Sequence, residues 1–193
     1  MHDSERGDGP WPPLTVTRRS LLVDGSDREF RQFVESMVQF ASRLQDVRAK
    51  LAAHMDVSPP QYRIVMALAR AETPEMTATA LAATLEVSTA FIVTEAQKLG
   101  ELGLVSRRKN PGDARSFLIA LSPAGRARVI DAAPLMCMVN DALFGGIDRS
   151  TMQHLAQQTQ HLLKASVDSL ALMEEPAQQH AKPARRMRRT AQA

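Results

Sequence analysis

From Ser26 onward the apolar positions of the chain recur at three- and four-residue steps. Phe30, Phe33, Val34, Met37, Phe40, Ala41, Leu44, Val47 and Leu51 lie on one stripe of a long helix that must stop before Pro59. Ser58 then caps a second helix, whose first turn tolerates Pro59 and Pro60 and whose inner face is Tyr62, Val65, Met66 and Leu68. A polar break at Glu72–Glu75 follows. Thr77 caps a short helix with Ala80, Leu81 and Leu85 facing inward. Val87 and Ser88 open the next helix, with Ile92, Ala96, Leu99 and Leu102 at helical spacing and Gly103 closing it. The pattern then changes. Leu104–Arg108 and Ser116–Leu121 read as two short strands around the polar turn cluster Lys109–Asp113. Ser122 and Pro123 start a long helical stretch that breaks near Gly145-Gly146, and Asp148 restarts it through about Met173. Residues 1–25 carry no sustained period and include the Pro10–Pro13 cluster, which predicts an extended arm.

Composition sharpens this picture. Hydrophobic residues make up 44% of the 193 positions and aromatics only 4%, so the apolar content is mostly Leu, Ala, Val and Met and favours helices. The single Cys137 excludes an intrachain disulfide framework. No apolar run reaches the roughly 18–20 residues a bilayer span needs. The polar, Pro/Gly-marked start is unlike a signal peptide, and a cytoplasmic protein is expected. The net charge of +3 is misleading, because Lys182, Arg185, Arg186, Arg188 and Arg189 alone supply more than that. Inside the body, cations concentrate in 88–128, as Lys98, Arg107, Arg108, Lys109, Arg115, Arg126 and Arg128.

Two short helices joined by a tight turn, then a hairpin with a basic tip, are the plan of a winged helix. The helix opening at Ser88 is sized for the major groove, about 12 Å wide. Its outward positions are Thr89, Ala90, Val93, Thr94, Gln97 and Lys98, with Phe91, Ile92 and Leu99 expected to pack. Ser88 and Thr89 stand where unpaired backbone N–H groups suit a phosphate oxygen. Gln97 has the geometry to pair with adenine, and Lys98 the reach for phosphate or guanine.

At these positions the chain resembles the MarR family of regulators, over about Ser26 to Met173. The likeness rests on Ala80-Leu81-Ala82, Val87-Ser88-Thr89, Leu99 to Gly103-Leu104-Val105, and Asp113-Ala114-Arg115 followed by Leu121-Ser122-Pro123-Ala124-Gly125. It implies that Arg115 enters the minor groove at the wing tip and that Asp113 helps hold it. Arg107, Arg108 and Lys109 read either as DNA contacts of the same wing or as a solvated charged turn, with Arg107 and Lys109 the expected contacts. The likeness also implies an intertwined homodimer built from the first helix and the last two. The expected fold is mainly α with a small β-hairpin wing. Its organisation is an arm (1–25), a first dimerisation helix (26–57), a winged helix-turn-helix (58–121), C-terminal dimerisation helices (122–175) and a disordered basic tail (176–193). Departures stand at Glu95, where the family is frequently apolar, at Glu86, where glycine is frequent, and near Thr94, where a basic residue is common.

The function so implied is a ligand-responsive repressor that binds double-stranded DNA as a homodimer. A small organic effector, an aromatic acid or its thioester, would release it. Arg43 and Tyr62 lie near the family's effector site and read either as its contacts or as a surface arginine and a core tyrosine. The alternative is a winged-helix protein–protein interaction module. Nothing indicates an enzyme or a cofactor: Gly-rich phosphate loop, nucleophile–base spacing and metal-ligand cluster are all lacking. Cys137 sits in the apolar run Pro134–Val139 and reads as a buried packing residue. His154 and His161, seven apart, read as a polar stripe, and His54 as the end of the first helix. Met136, Met138, Met152 and Met173 read as interface filling.

Overall fold

The computed structural model describes residues 11–174. These form α1 (Arg28–His54), α2 (Pro59–Arg70), β1 (Met76–Thr77), α3 (Ala78–Leu85), α4 (Thr89–Glu101), β2 (Val105–Asn110), β3 (Asp113–Leu121), α5 (Pro123–Phe144) and α6 (Arg149–Glu174). The chain divides into two compact units, one ending at Met138 and one beginning at Val139. The mainly helical class with a small β wing is as expected, while the basic tail at 176–193 lies outside the described residues.

The first unit has one core. Leu51, Ala52 and Met55 from the end of α1 meet Ile64, Val65 and Leu68 of α2, Leu81 and Leu85 of α3, and Ile92, Ala96 and Leu99 of α4. Val105, Ile119 and Leu121 close it from the sheet. Each of the Leu, Ile, Val and Met side chains contributes about 1.5–3 kcal/mol by leaving water, which makes this cluster the platform for everything it carries. Among the departures from the periodicity, Ala82 rather than Ala80 is buried on α3, and Leu102 is 54% exposed. Leu102, the C-cap, is still in helical conformation but stands about 80° round the helix from Ile92, off the buried face.

Helix ends are set by local chemistry. Ser58 caps α2 reciprocally with Gln61: the Ser58 hydroxyl accepts from the Gln61 N–H, and the Gln61 side chain accepts from the Ser58 N–H. Thr77 and Ser88 cap α3 and α4 by accepting from the N–H groups of Ala80 and Phe91. Gly103, at φ 72°, ends α4 with Gly103 N–H donating to Gly100 and Leu104 N–H to Leu99, the paired bonds of a Schellman motif. Asp148 caps α6, and the N–H of Thr151 holds its carboxyl below the ordinary carboxylate range.

Between α3 and α4 the chain bends by 110°, the angle of a helix-turn-helix. Glu86 makes the turn in the left-handed region, φ 54° and ψ 50°. A side chain there costs about 1–2 kcal/mol, partly offset in glycine by the greater freedom of its unfolded chain. Glu86→Gly is therefore expected to raise stability by about 0.5–1 kcal/mol, read as a higher urea midpoint at unchanged slope. Arg63 of α2 ties the same turn down by donating to the Leu85 carbonyl at 2.6 Å.

The sheet has order β1-β3-β2, all antiparallel. Both wing strands run further than the sequence suggests, so that only Pro111 and Gly112 remain between Asn110 and Asp113. The cluster Lys109–Asp113 carries turn residues, but Asn110 stabilises the pairing: its amide donates to Ser116 Oγ and its carbonyl accepts from Gly112 N–H. β1 gives no sequence signal because it is two residues long. It exists through its partners, Met76 beside Ile119 and Thr77 beside Leu118.

The expected arm is not simply extended over the described residues. It makes a 3-10 turn at Arg19–Leu21 and a bridge between Val23 and Ser26. Fully buried Asp27 pins it to α1, accepting from Thr15 N–H at 2.7 Å and Thr15 Oγ1 at 2.8 Å while pairing with Arg31 at 2.8 Å. The Thr15 N–H above all holds this carboxyl below its ordinary range.

Apolar surface is left uncovered in each unit. On α1, Phe33, Val34, Met37, Val38 and Phe40 are all at least 40% exposed. On α6, Leu163, Val167 and Leu170 are more than half exposed. Cys137 is exposed, against the expectation of a buried packing residue. Ala132 is the last buried position of α5, and beyond it the helix carries Met138 at 62% exposure.

Candidate nucleic-acid interface

Strand alternation sorts the wing cations. Arg107 opposes Ile119 and Lys109 opposes Phe117, so both stand on the face whose base, Val105, Ile119 and Leu121, enters the core. Arg115 continues that face toward the tip. Arg108 stands on the other face, opposite Leu118, and makes a two-pronged ion pair across β3 to Glu75. That pairing lowers the Glu75 pKa and raises that of Arg108, chiefly through the hydrogen bond between them.

The cations of 88–128 thus fall into two groups. Lys98 pairs with Glu95 at 2.7 Å, and Arg108 with Glu75. Arg126 donates to the Leu121 carbonyl, and Arg128 to the Met55 carbonyl and Asp56. Among the described residues no ion pair engages Arg107, Lys109 or Arg115. Arg107 instead lies over the Phe117 ring, 4.9 Å from its centre, which fixes its direction and keeps its charge. Asp113 holds the backbone of Arg115, accepting from its N–H at 3.0 Å.

On α4, Ile92, Glu95, Ala96 and Leu99 are buried. At 100° per residue the opposite direction is Ala90, Thr94 and Gln97, with Glu101 in line at the helix end. Thr89 and Val93 flank this stripe toward the wing, where with Arg107, Arg115, Phe117 and Ile119 they line a small pocket of about 140 Å³. Phe91 and Lys98 flank it on the far side. Phe91 is 37% exposed rather than packed, since it stands a full 100° from Ile92. Glu95 is only 7% exposed at its polar departure from an apolar position, and its carboxylate is satisfied by Lys98. Gln97 donates to Glu101 at 3.3 Å. Ser88 Oγ is committed to capping, and its neighbour Thr89 begins the helix beside the wing pocket.

Of the sequence-based site residues, Thr89, Arg107 and Arg115 line one pocket between α4 and the wing, Ala90, Thr94 and Gln97 lie on the outward stripe of α4, and Lys109 shares the strand face of Arg107. The roles of Glu75 and Arg63 were missed, because their partners lie 33 and 22 residues away. The effector candidates are not drawn together in the same way. Tyr62 is buried, which pushes its hydroxyl pKa up, and the charges acting on it are Arg48 and Arg70. Arg43 is exposed on α1. His54 is the last residue of α1, and His154 and His161 are exposed on α6. The described residues hold no cluster of His, Cys, Asp or Glu able to bind a metal ion, and no single helix among them is long and apolar enough to cross a membrane.

This is a winged helix-turn-helix, with α4 as its exposed second helix and β2–β3 as its wing. Residues 55–116, from the end of α1 into the wing, match the sequence model of the MarR family. Over 66% to 75% of its length the chain has the fold of MarR-family transcriptional regulators. It is similar to a MarR-family regulator from Streptomyces coelicolor in complex with DNA, at TM-score 0.63 and 19% identity, covering 71% of this chain and 90% of that one. It is similar to a mutant of E. coli MarR complexed with operator DNA, at TM-score 0.57 and 18% identity, covering 67% and 93%. It is also similar to the PcaV regulator from Streptomyces coelicolor in complex with its natural ligand, at TM-score 0.54 and 19% identity, covering 66% and 91%. A comparison with curated protein sequences found no match.

Proposed function

We propose that the protein is a sequence-specific DNA-binding transcriptional repressor acting as a homodimer. The observation that carries this reading is the contrast between paired and unpaired cations. Arg107, Lys109 and Arg115 present their charge beside the outward stripe of α4, while the neighbouring Lys98 and Arg108 are neutralised within the fold. A duplex laid there would receive α4 in its major groove and the wing tip in its minor groove. The uncovered apolar stripes on α1 and α6 support the dimer, because soluble monomers rarely expose patches beyond a few hundred Å². One similar structure holds its natural ligand, and by that analogy a small organic effector releases this protein from DNA, with Arg43 and Tyr62 the first contacts to vary.

Selection of fragments from random duplex DNA with the purified protein tests the reading. The expected product is a pseudo-palindrome whose half-site centres lie about 10 bp apart. Sedimentation of the same sample should give a dimer at micromolar concentration. Recovery of no preferred sequence, with tight binding to acidic protein instead, would replace the regulator by an interaction module.

A further inference from the structure

We infer that α4 reads thymine methyl groups, so that the half-site it enters is a run of A·T pairs recognised by apolar contact. The inference rests on the DNA-binding reading above and deepens it. A helix that specifies guanine presents arginine or lysine to the O6 and N7 acceptors. The one cation on α4, Lys98, is unsuited to this role. It stands on the flank away from the wing, and its ammonium is held 2.7 Å from the carboxylate of Glu95, itself almost wholly buried.

What the N-terminal half of α4 offers a base edge is hydrocarbon. Ala90 presents a methyl group at the centre of the outward stripe, and Val93 presents two more beside it at 40% exposure. Thr94 completes the patch. Its hydroxyl donates to the Ala90 carbonyl at 3.1 Å, which fixes the side chain and removes its donor from the surface. Thymine alone among the bases carries a methyl in the major groove, and apolar contact is how proteins detect it. Gln97, one turn further along the stripe, has the amide that suits an adenine edge, once its bond to Glu101 at 3.3 Å is exchanged for one to the base.

The test replaces thymine by deoxyuridine, one position at a time, in the selected operator, and measures binding by the full-length protein. Deoxyuridine keeps the base-pairing edge and lacks only the methyl. One or more positions per half-site should lose about fourfold in affinity, the worth of a buried methyl, with the salt slope unchanged. Thr94→Ser, which deletes the protein methyl and keeps the hydroxyl, should abolish the discrimination at one of these positions. Thr94→Val, which keeps the methyl, should preserve it. If a defined operator is bound equally well with deoxyuridine at every half-site thymine, methyl reading is overturned while the regulator reading stands. If no operator is selected, both readings fall together.

Discussion

Arg115→Ala is expected to weaken binding to matched and scrambled duplexes alike, about tenfold at 0.1 M salt, and to flatten the salt dependence by about one unit. Each phosphate neutralised releases counterions worth about 0.9 in the slope of log affinity against log salt. Arg115 stands near the wing tip, on the strand face shared with Arg107 and Lys109, and no ion pair among the described residues engages it. Its charge is therefore available to DNA. Base identity is poorly legible in the minor groove, so losing this arginine lowers affinity without redirecting sequence preference. Arg108→Ala is the internal control. That arginine is one residue nearer the wing tip in sequence than Arg107, but Glu75 already neutralises it. Its removal should leave the salt slope unchanged. Gln97→Ala should likewise spare the slope and relax preference at one base pair per half-site, at about 1–3 kcal/mol on the best site. Equal slopes for the Arg115 and Arg108 variants would mean that the wing face is misassigned.

Gly125→Ala is expected to cost about 3 kcal/mol of stability or more, the upper end for overpacking. An added Cβ would lie 2.0 Å from the Leu104 carbonyl oxygen and 3.0 Å from its carbon. The neighbour is backbone and cannot rotate aside. It is also held where it is, because the Ser122 N–H donates to that same oxygen at 3.0 Å while Ser122 Oγ donates to the Gly103 carbonyl. Relief would require α5 to move off the exit of α4, breaking the bonds that root the wing. Gly103→Ala separates close approach from backbone strain. At Gly103 nothing lies within 4 Å of a built Cβ, and only the φ of +72° opposes a side chain. That change should cost about 1–2 kcal/mol. Urea unfolding of the two variants beside the parent measures the difference. Equal losses would show that the junction has room for a side chain after all.

Much of the candidate interface was legible because its logic is local. The N-caps Ser58, Thr77 and Ser88 act within three residues of themselves, and Gly103 closes α4 through carbonyls of the preceding turn. Buried Ile92, Ala96 and Leu99 follow from a 3.6-residue period, which also places Ala90, Thr94 and Gln97 outward. Errors arose where period and position compete. Phe91 is apolar but stands on a flank, and Leu102 is apolar but lies past the last full turn. The wing was found yet drawn too short, because Asn110 and Asp113 are turn-forming residues that here pair with each other.

Sequence alone thus determined the helices, their inner faces, the hairpin and the region where positive charge gathers, since each depends on neighbours a few positions away. Only tertiary structure decided which of those charges are available. Lys98, Arg107, Arg108, Lys109 and Arg115 are indistinguishable by composition. Strand alternation and the fold of β1 against β3 bring Arg108 to Glu75, 33 residues distant, while Arg107 and Arg115 are turned to the side of α4. The same holds for apolar surface. The stripe from Phe33 to Phe40 has the period of a core helix, but the core of the first unit takes in only the end of α1, near Leu51, Ala52 and Met55. Periodicity states that a face must be covered. What covers it depends on chain geometry over many residues, which a local pattern does not encode.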